Sequence, residues 1–124
     1  MFYEGKRILV TGGTGMIGSH LAELLSEEGA HVRITEFNTP AKIIFSKEHL
    51  QKIEIVKADL TRREDCLKSV KGMDHVFQLA ATLTGVLGNI ATPVRMFTPN
   101  VLIQSNMIEA SALSGIERYL LTSS

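Results

Sequence analysis

Three glycines near the start of the chain have a spacing that suits the binding of a diphosphate. Gly12, Gly15 and Gly18 follow one another at three-residue steps, directly after an apolar run at residues 8–10. In such a turn the first glycine redirects the chain, the second lets backbone N–H groups approach the phosphates, and the third lets a helix pack closely on a strand. The N-terminus of that helix adds unpaired N–H groups and the positive end of its dipole. The spacing therefore predicts a dinucleotide site, with a purely structural glycine turn as the alternative.

A strand and a helix must hold this turn in place. Residues 8–10 read Ile-Leu-Val, which is typical of a strand buried on both faces. After the glycines, apolar residues recur at helical spacing and predict a helix with one face toward the core. That face carries Ile17, Leu21, Leu24 and Leu25. Gly29 stands where a left-handed residue would end the helix.

An acidic residue ends the second predicted strand. His31–Glu36 alternates apolar and polar residues and stops at the carboxylate of Glu36. A carboxylate in this place can accept both ribose hydroxyls of an adenosine, and it repels a 2′-phosphate. This predicts NAD rather than NADP, and Arg33, which could accommodate a phosphate, lies in the middle of the strand. The alternative is a charge at the strand end that faces water.

Three more strands and two more helices follow. The strands are predicted at residues 53–57, 74–81 and 117–124, and the last of them is expected to be buried. Together with the first two strands and their crossovers they predict an α/β fold with a parallel sheet. We expect the strand order 3-2-1-4-5, with the glycine turn at the switch point between strands 1 and 4.

The two later helices have distinct signals. Thr61 and Glu64 form a capping box that begins a short helix, which Gly72 closes. A second helix is predicted at residues 100–113. One face of it carries Val101, Ile108 and Ala112. Residues 82–99 are expected to form a long functional loop over the C-terminal edge of the sheet.

The composition excludes several classes of protein. With 124 residues, the chain can form one domain with a real core. Thirteen basic and thirteen acidic side chains cancel, which argues against nucleic acid or an anionic membrane surface as a partner. No apolar run approaches the length of a membrane span. The single cysteine, Cys66, excludes an intramolecular disulfide and fits a reducing cytoplasm; we expect it to be a packing residue.

The sequence of residues 11–18, Thr-Gly-Gly-Thr-Gly-Met-Ile-Gly, resembles the glycine motif of the short-chain dehydrogenase/reductase superfamily. It is most similar to the extended branch, which contains nucleotide-sugar epimerases and dehydratases. The resemblance implies a Rossmann-type doubly wound sheet and a tightly held NAD that oxidises a sugar hydroxyl transiently. It further implies a nucleotide-sugar substrate and is compatible with a homodimer.

The resemblance also implies roles for individual residues. The cofactor-binding positions are Gly12, Gly15, Met16, Ile17, Gly18, Glu36, Asp59, Leu60, Leu79, Ala80, Ala81 and Asn100. Among them Asp59 would contact the adenine amino group, although it could instead cap the next turn. The hydroxyl of Ser124 would hydrogen-bond the reacting oxygen of the substrate. Gln78 departs from the pattern, because the family usually has histidine there.

One part of the family pattern does not occur in these 124 residues. The acid/base pair is Tyr-x-x-x-Lys, and neither Tyr3 nor Tyr119 has a lysine four residues later. We therefore expect a fragment that corresponds to about the first half of an extended family member and that is inactive alone. A non-catalytic, redox-sensing NAD(P) module is one alternative. The other is a GDP-sugar epimerase/reductase, which the arrangement of Gly85, Asn89, Pro93 and Asn100 faintly resembles.

Overall fold

The computed structural model describes residues 2–81 and 93–122, with the side chains of residues 93–97 left aside. Within this part of the chain five strands form one sheet in the order β3-β2-β1-β4-β5, and every neighbouring pair is parallel. The strands are Arg7–Thr11 (β1), His31–Glu36 (β2), Glu54–Lys57 (β3), His75–Gln78 (β4) and Arg118–Leu121 (β5). The predicted strand order and the α/β class are therefore confirmed.

Helices connect these strands and cover the sheet. They are Met16–Glu27 (α1), a short 3-10 helix at Ala41–Ile43, Lys47–Lys52 (α2), Arg63–Val70 (α3) and Pro93–Leu113 (α4). None of the helices in the described ranges is both long enough and apolar enough to cross a membrane.

The central strand β1 separates two apolar layers. Ile8 and Val10 join a cluster with Leu25 of α1, whereas Leu9 joins a second cluster with Cys66 of α3. All three strand residues are fully buried, as expected for a strand covered on both faces. The C-terminal end of β1 is thus fixed between two packed layers, and the glycine turn starts from that fixed point.

The predicted buried face of α1 is confirmed at Leu25 and wrong at Ile17 and Leu24, while Leu21 is partly buried against the core. Ile17 and Leu24 are 70% and 60% exposed, and the buried residues are Gly18, Ser19, Ala22 and Leu25. The first turns of the helix lie so close to the glycine turn that they bury small residues, and Leu25 is the large residue that is buried.

The prediction for α4 needs two corrections. The helix begins at Pro93, so the end of the predicted loop is helical and Pro99 lies inside the helix. Val101 and Ile108 are exposed, and the buried face carries Ile103, Met107, Ala110 and Ser111. Residues 82–92 of the predicted loop, which include Gly85 and Asn89, lie outside the described residues.

Two strand predictions also change. β4 ends at Gln78, so Leu79–Ala81 follow the strand as a loop. β5 ends at Leu121 and is largely exposed, which contradicts the expectation of a buried strand. It is the last strand in the sheet order and pairs with β4 alone among the described residues.

Candidate functional site

The glycine turn is tied to the end of β2. The Gly12 N–H donates to the Thr35 hydroxyl at 3.0 Å, and the Gly13 N–H donates to the Thr35 carbonyl oxygen at 3.2 Å. Gly12 has φ +66°, a left-handed conformation that side chains disfavour, and an added Cβ would lie 3.0 Å from Ala80. The turn therefore leaves β1 sharply and passes between β2 and the loop after β4.

The other glycines differ in what surrounds them. A Cβ on Gly18 would lie 2.3 Å from the Gly12 carbonyl oxygen, so this glycine is required by the contact of α1 with the turn. A Cβ on Gly13 would lie 2.3 Å from Cβ of Ile34, a requirement that the sequence reading missed. At Gly15 the nearest atom beyond its chain neighbours is the Gly12 oxygen, at 3.3 Å. Protein packing thus excludes a side chain at Gly13 and Gly18, whereas at Gly15 it gives a tight contact that a shift of a few tenths of an ångström would relieve.

The N-terminus of α1 is open as well. Gly15 is the N-cap residue, no side chain caps the helix, and its first turn contains no acidic residue. The side chains of Met16 and Ile17 are exposed. A helix start with uncapped N–H groups is suited to an anion.

A cavity of about 480 Å³ lies over the C-terminal ends of four strands, and we call it the strand-end cavity. Its volume is within the range of about 300–1,000 Å³ that is usual for small-molecule sites. It is lined by Gly12, Thr14, Gly15, Thr35, Phe37, Asn38, Thr39, Ala58, Asp59, Leu60, Thr61, Leu79, Ala80, Ala81 and Ile103. Seven predicted cofactor residues line it: Gly12, Gly15, Asp59, Leu60, Leu79, Ala80 and Ala81. Within the described part of the chain, Met16, Ile17, Gly18, Glu36 and Asn100 are not lining residues.

The floor of the cavity is held by a buried polar pair. The Thr11 hydroxyl donates to Oε1 of Gln78 and accepts the N–H groups of Leu79 and Ala80 at 3.0 and 3.2 Å. Nε2 of Gln78 in turn donates to the Ala80 carbonyl oxygen at 3.1 Å. Gln78, at the position where the resemblance leads one to expect histidine, thus fixes the loop after β4 with its amide group.

The two predicted acidic residues bind backbone or side-chain donors of the protein. Oε2 of Glu36 accepts the Ala41 N–H at 2.6 Å. Oδ1 of Asp59 accepts the N–H and the hydroxyl of Thr61 at 3.1 and 2.6 Å. Asp59 therefore does cap the following turn, and it also lines the cavity. The predicted capping box is wrong: α3 begins after Arg62, and no side chain caps it.

The sequence reading missed an aromatic and polar segment of the wall. Phe37, Asn38 and Thr39 line the cavity directly after β2, and the Phe37 side chain is 57% exposed. The sequence signal that could have found them is a phenylalanine directly after the carboxylate that ends the strand. These residues give the cavity an apolar surface next to hydrogen-bonding groups.

The remaining candidate residues are placed as follows. Asn100 lies in α4 and is half-buried, and Ile103 of the same helix reaches the cavity. Ser124 lies outside the described residues. Tyr119 lies in β5, where burial, with a smaller contribution from a Cys66 charge, raises its pKa to about 12. Neither Tyr119 nor Tyr3 lines the strand-end cavity as far as the structure describes it.

Cys66 is a packing residue, as the sequence indicates. Its side chain is fully buried, and its Sγ donates to the Leu60 carbonyl oxygen at 3.2 Å. Burial, followed by the charges of Asp65 and Asp59, raises the pKa of the thiol to about 12. The thiol is therefore protonated near neutral pH. Among the residues that the structure describes, no group of histidine, cysteine and carboxylate side chains could hold a metal ion.

Comparison with known proteins decides the family. The model of the NAD dependent epimerase/dehydratase family matches residues 8–124. The chain belongs to this family. The resemblance that residues 11–18 carry is thereby confirmed, and so is the Rossmann-type fold.

Individual relatives agree with the family. GDP-mannose 3,5-epimerase of Arabidopsis thaliana is 37% identical over 98% of this chain, which corresponds to 31% of that protein. An epimerase structure from Methanothermobacter thermautotrophicus has a TM-score of 0.87 at 33% identity, over 99% of this chain and 36% of that one. UDP-glucose-4-epimerase from Stenotrophomonas maltophila, solved with bound NAD, has a TM-score of 0.83 at 26% identity over 96% of this chain and 37% of that one. The chain therefore spans about a third of the length of these family members.

Proposed function

We propose that this chain binds NAD in the strand-end cavity, as the cofactor-binding part of a nucleotide-sugar epimerase or dehydratase. The uncapped N-terminus of α1 at Gly15, a glycine that lines the cavity, is the observation that carries the proposal. A Cβ at Gly15 would make a tight contact of 3.3 Å with the Gly12 carbonyl oxygen, without the overlap that excludes a Cβ at Gly18. A diphosphate that approaches the backbone closely needs the space that a side chain would take, and the uncapped helix start supplies the N–H donors.

The other residues of the cavity fit the remainder of a dinucleotide. Phe37 and Asp59 offer an aromatic face and a carboxylate for an adenine, as described for the wall of the cavity. Ala80 and Ala81 leave room for the cofactor to pass over the end of β4. The negative charge of Glu36, which directly precedes the lining residue Phe37, favours NAD, because it repels the 2′-phosphate of NADP.

NAD, when bound, would supply the hydride chemistry, removing a hydride from a sugar carbinol and later returning it. The protein residues would bind and orient the partners. In this proposal the Ser124 hydroxyl donates to the oxygen that becomes a ketone. Tyr119 and Tyr3 do not serve as the acid or base, so the 124-residue chain alone is expected to bind cofactor without turnover.

The relatives support a nucleotide-sugar substrate for the whole protein. The first candidate is a UDP-sugar, which UDP-glucose-4-epimerase supports at 26% identity. The second candidate is a GDP-sugar. It is supported by GDP-mannose 3,5-epimerase and by the GDP-L-fucose synthase of Sinorhizobium fredii, which are 37% and 32% identical to this chain. Turnover assays of a full-length protein with UDP-glucose and GDP-mannose would decide between them.

Titration calorimetry of the chain with NAD and NADP tests the proposal. We expect saturable binding of one NAD and weaker binding of NADP. The Gly15→Val variant is the matched control, since it should stay folded and lose NAD. Absence of NAD binding by the unsubstituted chain, or normal binding by the variant, would contradict the proposal.

A further inference from the structure

The threonine before the last residue of β2 lies against the glycine turn. The hydroxyl oxygen of Thr35 accepts the Gly12 N–H at 3.0 Å, and its carbonyl oxygen accepts the Gly13 N–H at 3.2 Å. Thr35 is 3% exposed, and it lines the strand-end cavity. This residue therefore lies where the end of β2, the turn and the cavity meet.

The hydroxyl hydrogen of Thr35 has no acceptor in the part of the chain that the structure describes. A hydroxyl group can donate one hydrogen bond and accept two. The bond from Gly12 uses an acceptor position and leaves the donor unused. Buried polar groups are nearly always hydrogen-bonded, and one that is left without a partner costs stability. A buried donor beside a cavity is therefore a group that a ligand can satisfy.

Thr11 provides a comparison within the same fold. It is also buried, and it ends the neighbouring strand β1. Its hydroxyl donates to Oε1 of Gln78 and accepts two backbone N–H groups, so both its donor and its acceptor positions are used by the protein. Among the described residues Thr11 is not part of the cavity lining, whereas Thr35 is. The unused donor thus occurs at the threonine that a ligand in the cavity could reach.

The surroundings of Thr35 place it at the adenosine end of the proposed site. Residues 37–39, which follow it, form the cavity wall, and its partner in β3, Val56, lies three residues before Asp59. The loop at residues 79–81 lies on the other side of the glycine turn. Adenosine monophosphate presents two ribose hydroxyls and the phosphate oxygens, and each of these can accept a hydrogen bond from a hydroxyl donor.

We propose that Thr35 is a cofactor-binding residue, whose hydroxyl donates to a ribose hydroxyl or a phosphate oxygen of the adenosine monophosphate half of NAD. The inference rests on the proposed binding of NAD and deepens it. One hydroxyl then has two functions: it holds Gly12 in the turn by accepting a hydrogen bond, and it binds the cofactor by donating one. The nicotinamide half of the cofactor does not depend on it.

Two variants of Thr35 test the role of the hydroxyl. Thr35→Val keeps the shape of the side chain and removes the hydroxyl, whereas Thr35→Ser keeps the hydroxyl and is the matched control. Calorimetry should show that Thr35→Val binds NAD and AMP about three- to tenfold more weakly, as expected for the loss of one hydrogen bond. Thr35→Ser should bind both within about twofold of the unsubstituted chain, and nicotinamide mononucleotide should bind equally to all three proteins. Unchanged binding of AMP by Thr35→Val would overturn the inference.

Altered ligands separate binding by the hydroxyl from its effect on the turn, because Thr35→Val also removes the acceptor of the Gly12 N–H. The ligands 2′-deoxy-AMP, 3′-deoxy-AMP and adenosine each lack one candidate acceptor. The ligand that lacks the acceptor of Thr35 should bind equally to Thr35→Val and to the unsubstituted chain, while the others should keep the full difference. This comparison also distinguishes a ribose hydroxyl from a phosphate oxygen. A difference of the same size for AMP and all three altered ligands would show that Thr35 acts only through Gly12, and it would overturn the inference.

A further variant covers the case in which Thr35→Val does not fold. Thr35→Ala removes the same hydroxyl and leaves room for a water molecule at the Gly12 N–H, and it should show the same pattern with the altered ligands. Thermal unfolding of each variant checks that it is folded. Full NAD affinity in a folded variant without the hydroxyl would overturn this inference alone. Absence of NAD binding by the unsubstituted chain would overturn the proposed function and this inference together.

Discussion

The carbonyl oxygen of Gly12 lies 2.3 Å from the position that a Cβ on Gly18 would occupy. Helix α1 and the glycine turn are thus in backbone contact, and no rotation of a side chain could relieve a clash there. At Gly15 the same oxygen is 3.3 Å from the Cβ position, and the backbone angles of φ −77° and ψ 172° are open to any residue. Packing against the turn thus requires a glycine at position 18 and constrains position 15 much less.

This difference predicts different outcomes for two substitutions. Gly18→Ala should lower the free energy of unfolding by about 1–3 kcal/mol or more, because the added carbon overpacks a backbone contact. Gly15→Val should lower the thermal midpoint less than Gly18→Ala does, because its Cβ contact of 3.3 Å needs only a small shift, and it should abolish NAD binding. Thermal unfolding and calorimetry on both variants check the pair. Loss of folding in Gly15→Val would show that Gly15, too, is a structural glycine.

A second prediction concerns the polar pair under the cavity. Thr11→Val removes the hydroxyl that serves Gln78, Leu79 and Ala80, and it leaves the buried Oε1 of Gln78 and two part-buried N–H groups without this partner. Each unsatisfied group costs about 1–3 kcal/mol, and relaxation of the structure relieves part of this cost. We therefore expect the free energy of unfolding, measured by urea titration, to fall by about 2–4 kcal/mol. Thr11→Ser keeps the hydroxyl and is the control, with a loss of about 1 kcal/mol for the methyl group. Equal losses in the two variants would contradict the role of the hydroxyl.

The fold could be predicted because its determinants are local. The run at residues 8–10, the glycines at three-residue steps and the alternation of Val32 and Ile34 each specify an element within a few residues. Parallel order then follows from crossover connections, since few topologies are compatible with them. The position of the glycine turn at the switch point between β1 and β4 came from the same reasoning.

The errors arose where a distant contact decides. Apolar spacing alone favoured Ile17 and Leu24 as the inner face of α1, but the contact with Gly12 selects the small residues. The expected burial of β5 failed because the strand lies at the edge of the described sheet. The acceptor role of Glu36 depends on where Ala41 comes to lie, and no pattern in the loop sequence specifies that position.

A third prediction tests the aromatic wall of the cavity. Phe37 is exposed, so Phe37→Ala should change the free energy of unfolding by no more than about 0.5 kcal/mol. If its ring contacts the adenine, AMP and NAD should bind about two- to tenfold more weakly, whereas nicotinamide mononucleotide should be unaffected. Phe37→Tyr retains the ring and should bind AMP normally. A loss of equal size for the two mononucleotides would place the effect elsewhere in the cavity.

The last prediction concerns stability at alkaline pH. Burial raises the pKa of Cys66 from 9.0 and that of Tyr119 from 10.0, both to about 12. Between pH 9 and 12 the folded state therefore holds protons that the unfolded state has lost, and stability must fall as pH rises through this window. Below pH 9 both groups are protonated in the folded and the unfolded state, so their contribution to the free energy of unfolding no longer changes with pH.

Variants can assign this alkaline loss to the two groups. A proton held only by the folded state contributes a slope of about 1.4 kcal/mol per pH unit. Cys66→Ala should reduce the fall in the free energy of unfolding from pH 9 upward, whatever stability the lost packing costs at pH 7. Tyr119→Phe should reduce it from pH 10 upward and should not destabilise the chain at pH 7, because the buried Tyr119 hydroxyl has no hydrogen-bond partner among the described residues. Urea titrations at intervals from pH 7 to 11 measure these slopes, and slopes identical to that of the unsubstituted chain would contradict the assignment.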